Sequence, residues 1–470
     1  MNMTRNFRKI KKIIPVLFFI FLISLIPQQI FAEDLMRDFK DFINLVKNFD
    51  EEGFLKKQEA LEKSNNVKGV YLTAFTAGSR HLEAERLRND IKKLLKETEL
   101  TAVVIDVKEV EGPSFSESLR LFIEELHQNN IWVIARIVAF RDFSLIKRNP
   151  EWYLKTKKGD LWQDEAGYYW LDPACPEAQN YLLEISKKAI DFSFDEIQFD
   201  YLRFPDRGDL ENIVYPFSGI ERGKNKIIND FYLKLCNDLR NYKTDIILSI
   251  DLFGLIAQNF NIPGIGQNLA DTTGFFDYVS PMLYPSHYFQ GFAVTSDSKR
   301  GLSPLYFPYI DEDIEKVVSN HPYEVVSRSI FQVSDYIRAK REYMVQASQA
   351  RPGSYIALLK PNTTRNVLAA SGHSVFSLLK NFFDRYVLFL DSLDPVRCSL
   401  SNGAGRVDTK IRPWLQDFDL KFDKDRGIYY DENKIRAQIN AAESSGASGW
   451  LLWNSSNIYT KEALKLITDN

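Results

Sequence analysis

Two aspartates stand at the ends of strand-like runs, where their spacing could support acid–base chemistry. Asp200 lies in FDEIQFDYLRFP (194–205) and Asp251 in DIILSIDLFG (245–254). Neighbouring parallel strands lie about 4.8 Å apart, so carboxyl groups at equal depth would approach to roughly 5–5.5 Å. That separation suits a nucleophile and an acid/base that cleave one glycosidic bond with retention, whereas unequal depth would give the wider inverting spacing. The pair predicts glycoside hydrolysis.

A regular alternation of strands and helices places these aspartates. Eight β-rich runs alternate with amphipathic helical stretches, of which EAERLRNDIKKLLKETE and SESLRLFIEELHQNN are the clearest. The runs are 67–75, 101–109, 131–140, 196–205, 245–254, 277–285, 410–418 and 448–457. Eight such units predict an α/β fold, a (β/α)8 TIM barrel. A doubly wound open sheet is the alternative, but no G-x-G-x-x-G or P-loop sequence follows the first run.

Polar and aromatic side chains gather at the predicted C-terminal strand ends, where barrel enzymes build their active sites. The candidate substrate-binding residues are Asp106, Lys108, Arg136, Arg203, Tyr284, His287, Trp414, Asp417, Trp453 and Asn454. Aromatic rings can stack on the apolar faces of sugar rings, while the polar groups bind hydroxyls. Arg136 lies inside a strand and is expected to point into the barrel and fix a carboxylate, in the first place Asp200.

Structural roles remain open for several of these residues. Asp200 is either a catalytic carboxylate or a structural partner of Arg203 or Arg136. Asp106 and Lys108 form either an orienting ion pair or a catalytic one. His287 is either a substrate contact or a core histidine.

Composition excludes several functional classes. The 470 residues are 45% hydrophobic and carry a formal net charge of −3, and without a basic stripe a nucleic-acid partner is disfavoured. Three scattered cysteines do not predict a disulfide framework. Only five histidines occur, and no Cys/His spacing fits a zinc site, so neither a metal nor a cofactor is predicted.

The N-terminus predicts export. Five basic residues precede a 14-residue apolar run (13–26), which is shorter than a bilayer-spanning helix, and Ala32 fits a cleavage point. A signal peptide is therefore predicted over 1–32, with an uncleaved membrane anchor as the alternative. A helical leader is predicted over 33–65 and the barrel over 66–470, with an insertion at about 351–409 between the sixth and seventh strands.

Eight stretches carry a resemblance to a known family. They are VKGVYLTAFTAGS, TELTAVVIDVKE, NNIWVIARIVAFRD, LWQDEAGYYWLDP, FDEIQFDYLRFP, VSPMLYPSHY, IRPWLQDF and GASGWLLWNSSNIY, which run from about residue 67 to 460. The chain resembles exported glycosyl hydrolase domains of largely unknown function that are distantly related to α-amylase-like (β/α)8 barrels. The resemblance implies a barrel and a carbohydrate substrate.

The resemblance also implies roles for individual residues. In α-amylase-like barrels the nucleophile is an aspartate at the end of strand four, which corresponds to Asp200. Their general acid is a glutamate after strand five, where this chain has Asp251. A third carboxylate, after strand seven, corresponds loosely to Asp417.

These observations predict an exported glycoside hydrolase that acts on an extracellular or cell-envelope polysaccharide. The alternative is a catalytically silent barrel that binds polysaccharide or peptidoglycan, which the aspartate in strand five favours. A lyase or deacetylase is a third possibility, and the lack of a His/Asp metal cluster in the sequence disfavours a metal-dependent deacetylase.

Overall fold

A computed structural model of the chain describes residues 51–217, 223–350 and 409–466. The predicted signal peptide, residues 33–50 of the predicted leader and nearly all of the predicted insertion lie outside these ranges. The chain divides into two compact units, and of the smaller one only Glu51 and residues 343–350 are described. The architecture below is that of the larger unit.

Eight parallel strands form the core of this unit. They are β1 Val67–Leu72, β2 Ala102–Glu109, β3 Trp132–Val138, β4 Glu196–Asp200, β5 Ile247–Leu252, β6 Tyr278–Pro281, β7 in two segments, Lys410–Ile411 and Trp414–Gln416, and β8 Gly449–Trp453. Each strand pairs with the next along the chain, and β8 pairs with β1. The predicted (β/α)8 barrel is therefore confirmed.

The seventh strand closes the barrel although it is interrupted. Its first segment pairs with β6 and its second with β8, and the break lies at Arg412 and Pro413. Proline has no N–H to donate to a strand ladder, but the Pro413 carbonyl still accepts from the Leu451 N–H at 2.9 Å. At the start of β8, Gly449 has φ 89°, and a Cβ there would collide with the Val67 carbonyl of β1.

Helices follow most of the strands. The longer ones are α1 Glu51–Lys63, α2 Leu82–Glu97, α3 Glu117–Gln128, α4 Pro176–Asp191, α5 Lys224–Tyr242, α6 Pro322–Ala350 and α7 Glu432–Ser444. Short helices lie at Ala74–Gly78, Ile256–Asn259, Leu269–Thr272 and Lys421–Lys424. Among the described residues, no helix has both the length and the apolar character needed to cross a membrane.

The two-residue period of a strand explains the mixed composition of β4. Ile197 and Phe199 belong to the main apolar cluster, which includes side chains of the surrounding helices. Glu196, Gln198 and Asp200 alternate with them and are all buried, and successive side chains in a strand point to opposite faces. The polar residues of β4 therefore point into the barrel.

The N-terminal face of the barrel is closed by buried ion pairs. Arg412 and Glu196, both fully buried, lie 2.9 Å apart, and Arg412 also donates to the Ser64 carbonyl. Lys57 of α1 donates to Asp277 at 2.9 Å. These pairs link α1 to the strand ends opposite the candidate site.

Candidate active site

One arginine holds three carboxyl groups near the C-terminal strand ends. Arg136 of β3 donates to Asp106 of β2 at 2.6 Å and to Asp200 of β4 through its other terminal nitrogen. Its Nε lies 3.5 Å from an oxygen of Asp251 of β5. All four side chains are at most 6% exposed. The predicted Arg136–Asp200 contact is present, and the two candidate catalytic aspartates share one guanidinium.

Both oxygens of Asp106 accept hydrogen bonds within the acidic cluster, which we define as Asp106, Asp200 and Asp251. Its second oxygen accepts from the Tyr71 hydroxyl at 2.5 Å. Burial raises the pKa of Asp106, whereas Arg136 and the Tyr71 hydroxyl oppose that rise. Tyr71 and Arg136 thus hold Asp106 in a fixed orientation beside the other two carboxyl groups.

Asp200 lies at an abrupt turn of the backbone. The next residue, Tyr201, has φ 52°, and its N–H donates to the second Asp200 oxygen at 2.6 Å. A left-handed conformation is costly for a bulky side chain and often marks functional sites. The run predicted over 196–205 therefore ends as a strand at Asp200 rather than at Pro205, because the chain turns at Tyr201.

Asp251 lies at the same level as Asp200 on the neighbouring strand. Phe199 pairs with Ile250, so the two aspartates are the next residues in register. Trp414 Nε1–H donates to Asp251 at 2.7 Å. Burial and the negative charge of Asp200 raise the pKa of Asp251 well above its ordinary value, against the opposing effects of Arg136 and Trp414.

Aromatic rings surround the shared guanidinium. Tyr71 and Trp453 stack with ring centroids 4.0 Å apart, and Trp414 meets Trp453 edge-on at 5.6 Å. The guanidinium carbon of Arg136 lies 4.9 Å from the centre of the Trp453 ring. Trp453 is only half-buried, so it offers a ring face next to the acidic cluster.

Lys108 and Arg203 form ion pairs other than those proposed from the sequence. Lys108 contacts Asp142 at 2.9 Å, with both side chains fully buried. The pairing of Asp106 with Lys108 is wrong because the β2–β3 register shifts between these two residues, while Asp106 binds Arg136. Arg203 donates to Asp206 at 2.8 Å, so Arg136 rather than Arg203 is the partner of Asp200.

Asp417, Asn454 and His287 occupy the loops around the barrel mouth. Both Asp417 oxygens accept from Thr460, and Asn454 donates to the Asp417 carbonyl, so these contacts join the loops after β7 and β8. His287 is exposed and lies beside Tyr284, their ring centroids 5.3 Å apart. Of the candidates named from the sequence, the acidic cluster includes Asp200, Asp251 and Asp106; it does not include Asp417.

A comparison with family models assigns the chain to a family. A family model described as "putative glycosyl hydrolase domain" matches residues 69–352 and 386–459, well over half of the chain. The chain belongs to this family. A search of curated proteins found no match.

Solved structures similar to this family member include proteins of several kinds. A hypothetical protein from Ruminiclostridium thermocellum is 32% identical, with 39% of this chain and 96% of that one covered and a TM-score of 0.33. The PgaB (BpsB) glycoside hydrolase domain from Bordetella bronchiseptica is 13% identical, and the match covers 84% of this chain and 94% of that one with a TM-score of 0.47. The α-galactosidase TtGalA from Thermus thermophilus is 14% identical, and the match covers 57% of this chain and 48% of that one with a TM-score of 0.35.

The candidate residues chosen from the sequence leave out two side chains near the acidic cluster of this glycosyl hydrolase domain. Tyr71 is one of them, and its place in β1 brings its hydroxyl within 2.5 Å of Asp106. Glu109 ends β2, three residues after Asp106, and is only half-buried. Burial and the charge of Asp106 raise the pKa of Glu109 to about 7. The Asp-x-x-Glu spacing at a strand end was the available signal.

Glu109 should make the stability of the protein depend on pH. Because its folded pKa, about 7, exceeds the ordinary value of 4.5, the folded state binds more protons than the unfolded state between these values, and stability falls as pH rises. We expect Glu109→Gln to unfold at a higher temperature than the parent above pH 7 and at the same temperature below pH 4.5. Thermal unfolding from pH 4 to 8 tests this, with the exposed Glu184→Gln as the control. A difference independent of pH would contradict it.

Proposed function

We propose that this glycosyl hydrolase domain cleaves glycosidic bonds in an extracellular or cell-envelope polysaccharide, with Asp200 and Asp251 as its catalytic pair. One observation carries the proposal: the two aspartates follow in register on neighbouring strands and contact the same arginine. Neighbouring strands lie about 4.8 Å apart, which supports the short carboxyl separation of retaining glycosidases.

Asp200 has the environment of a nucleophile. One of its oxygens accepts from Arg136 and the other from the Tyr201 N–H. These two hydrogen bonds fix the orientation of the carboxyl group, as attack on the anomeric carbon requires.

Asp251 has the environment of a proton donor. A carboxylic acid protonates a leaving group near neutral pH only when its pKa is raised. Burial and the adjacent charge of Asp200 raise the pKa of Asp251. The raised pKa of Asp251 therefore agrees with its proposed role as proton donor.

The proposed reaction has two steps. In the first, an Asp200 oxygen bonds to the anomeric carbon as the glycosidic C–O bond breaks, and the leaving oxygen takes the proton of Asp251. In the second, water attacks the same carbon and gives its proton to Asp251, and the bond to Asp200 breaks. The proton and the carboxylate are both restored, and no further reactant than water is consumed.

Export of the chain is part of the proposal. It rests on the basic and apolar N-terminus, which agrees with a cleaved signal peptide or, if uncleaved, with a membrane anchor. An envelope polysaccharide would be the substrate available to a chain delivered there.

A catalytically silent polysaccharide-binding barrel is the second candidate. It is favoured by the burial of Asp251, which is 1% exposed, with one oxygen bound by Trp414 and the other facing Arg136. A group so enclosed could serve only to balance the arginine. The two candidates differ in whether glycan binding is accompanied by bond cleavage.

Release of reducing ends tests the proposal. The purified chain is incubated with bacterial envelope glycans, and new reducing ends are measured against the Asp200→Asn and Asp277→Asn proteins. Asp277 is equally buried but lies at the opposite face with Lys57, so its variant should retain activity. Release by the parent and Asp277→Asn but not by Asp200→Asn supports hydrolysis; binding without release by the parent selects the silent barrel.

A further inference from the structure

A row of aromatic rings leads outward from the acidic cluster. It starts at Tyr284, which packs in one cluster with Tyr71 and Trp414. These two side chains donate hydrogen bonds to Asp106 and Asp251 of the acidic cluster. His287 follows at 5.3 Å between ring centroids and Phe289 at 5.7 Å. Phe418 supports the start of the row, 5.4 Å from Tyr284 and 5.5 Å from His287.

The row continues onto the loop after β7. Phe289 meets Tyr309 edge-on at 5.3 Å, and Tyr309 stacks on Phe422 at 5.2 Å with an interplanar angle of 16°. We call the five rings Tyr284, His287, Phe289, Tyr309 and Phe422 the aromatic track. Consecutive centroids are 5.2–5.7 Å apart, so the track is an unbroken series of ring contacts.

The outer rings of the track are exposed. Phe289 is 47% exposed and Phe422 41%, and His287 is exposed as well. Single exposed rings need no explanation, but a connected set marks an interaction surface. The rings are also held in place, because Arg426 lies over Phe422 at 4.1 Å and donates to the Tyr309 carbonyl and to Asp423.

Cationic and polar groups border the same rings. The exposed Arg207 lies 5.6 Å from the Phe289 ring centre, and Arg426 borders Tyr309 and Phe422. Sugar chains present apolar ring faces and hydroxyl edges together, so exposed rings beside hydrogen-bond donors match them. A lipid-facing surface would instead present a continuous apolar area.

We propose that the aromatic track binds consecutive units of a linear oligosaccharide whose reacting bond lies at the acidic cluster. This inference rests on the proposed function and adds that the substrate is a chain of several units, bound along the loops after β6 and β7. We identify the bound molecule as the substrate because the inner end of the track adjoins the barrel end that holds the proposed catalytic pair.

Binding by a catalytically disabled chain tests the track apart from turnover. Calorimetric titration of Asp200→Asn uses chito-, cello- and malto-oligosaccharides of one to six units. We expect affinity to rise with length for at least one series, and Phe289→Ala and Phe422→Ala to weaken binding of the longest member about 10-fold each without affecting the disaccharide. Tyr242→Ala is the matched control, because Tyr242 is 48% exposed on α5, away from the track.

The outcomes separate this inference from the proposed function. Affinity that does not rise with length in any series, or that is equal in the parent and both phenylalanine variants, overturns the track whether or not the parent is a hydrolase. The inference is also overturned if the Asp200→Asn protein binds phosphatidylglycerol vesicles but no oligosaccharide, and the two phenylalanine variants lose the vesicle binding. Length-dependent binding that is lost in the variants, with no cleavage by the parent, upholds the track and rejects hydrolysis. Thermal unfolding confirms that each variant is folded.

Discussion

Replacing Asp200 by asparagine is expected to lower kcat/KM for glycoside hydrolysis by about 10³-fold or more, because the amide cannot form the bond to the anomeric carbon. The amide fills nearly the same volume, but its single oxygen can accept from only one of the two donors, Arg136 or the Tyr201 N–H, that now bind separate oxygens of the carboxylate. Kinetics on one accepted glycan provide the measurement. Added azide should restore part of the rate in this variant, since a small nucleophile can take the place of the missing carboxylate.

Asp251→Asn should fail in a different way. Loss of a general acid costs about 10²–10⁴-fold on a substrate with a poor leaving group and much less on an aryl glycoside whose leaving group needs no proton. The parent rate should fall as pH rises through the raised pKa of Asp251, and this limb should be missing from the Asp251→Asn profile. Equal losses on both substrates would argue against the acid role.

The same substitution is expected to stabilise the fold. Three carboxyl groups surround one guanidinium, and the pKa of Asp251 is raised, so its ionised form is disfavoured in the folded state. At pH values above the pKa of Asp251, removing that charge should raise Tm. At pH values below it, the substitution should have little effect. Greater stability together with lower activity would indicate that Asp251 is retained for catalysis rather than for folding. Asp277→Asn is the control, and it should lower Tm because it breaks the ion pair with Lys57.

The strands were the part of the fold that sequence could predict. Every predicted run contains a barrel strand, because burial on two faces demands β-rich apolar runs, and the helices between them follow a 3.6-residue period. The ends were less predictable. Nothing in the letters DYLRFP announces that Tyr201 takes φ 52° and ends β4, because that conformation depends on what surrounds Asp200.

The sequence could predict which face of a strand a side chain occupies, because the two-residue period decides that. It could not predict contacts that depend on the register between neighbouring strands. The two-residue period places Glu196, Gln198 and Asp200 on one face, and the barrel then orients Arg136 towards Asp200. In β2 the register shift between Asp106 and Lys108 sends these two side chains to different partners, and no composition reveals such a shift. The equal depth of Asp200 and Asp251 likewise needed the strand pairing.

Replacing Arg136 by methionine should cost about 3–5 kcal/mol in the free energy of unfolding at neutral pH, the size expected when a buried ion pair loses one partner. Methionine is close to the aliphatic part of arginine in shape, so the loss is electrostatic. Three buried carboxyl groups would share a site without their cation, which now contacts Asp106 at 2.6 Å. Chemical denaturation at pH 7.5 gives the value.

The pH dependence identifies the cause of that loss. Arg136 lowers the pKa values of Asp106 and Asp251, so without it both pKa values rise further above their ordinary range. The folded variant then binds more protons than the unfolded chain, and its stability falls as pH rises above about 4. The deficit relative to the parent should therefore shrink when unfolding is repeated at pH 5. Adding Asp251→Asn should recover part of it at pH 7.5, because one of the uncompensated charges is gone.

A surface arginine supplies the control. Arg300 pairs with Asp297 and Asp335 but is 24% exposed in its side chain, and exposed ion pairs contribute about 0–1 kcal/mol. Arg300→Met should therefore cost far less, and equally at both pH values. If Arg136→Met showed the same small, pH-independent loss, the three carboxyl groups would not depend on this guanidinium for their charge. The proposed division of roles, with Asp200 as nucleophile and Asp251 as proton donor, would then lose its physical basis, because the two carboxyl groups would not need the cation that they share.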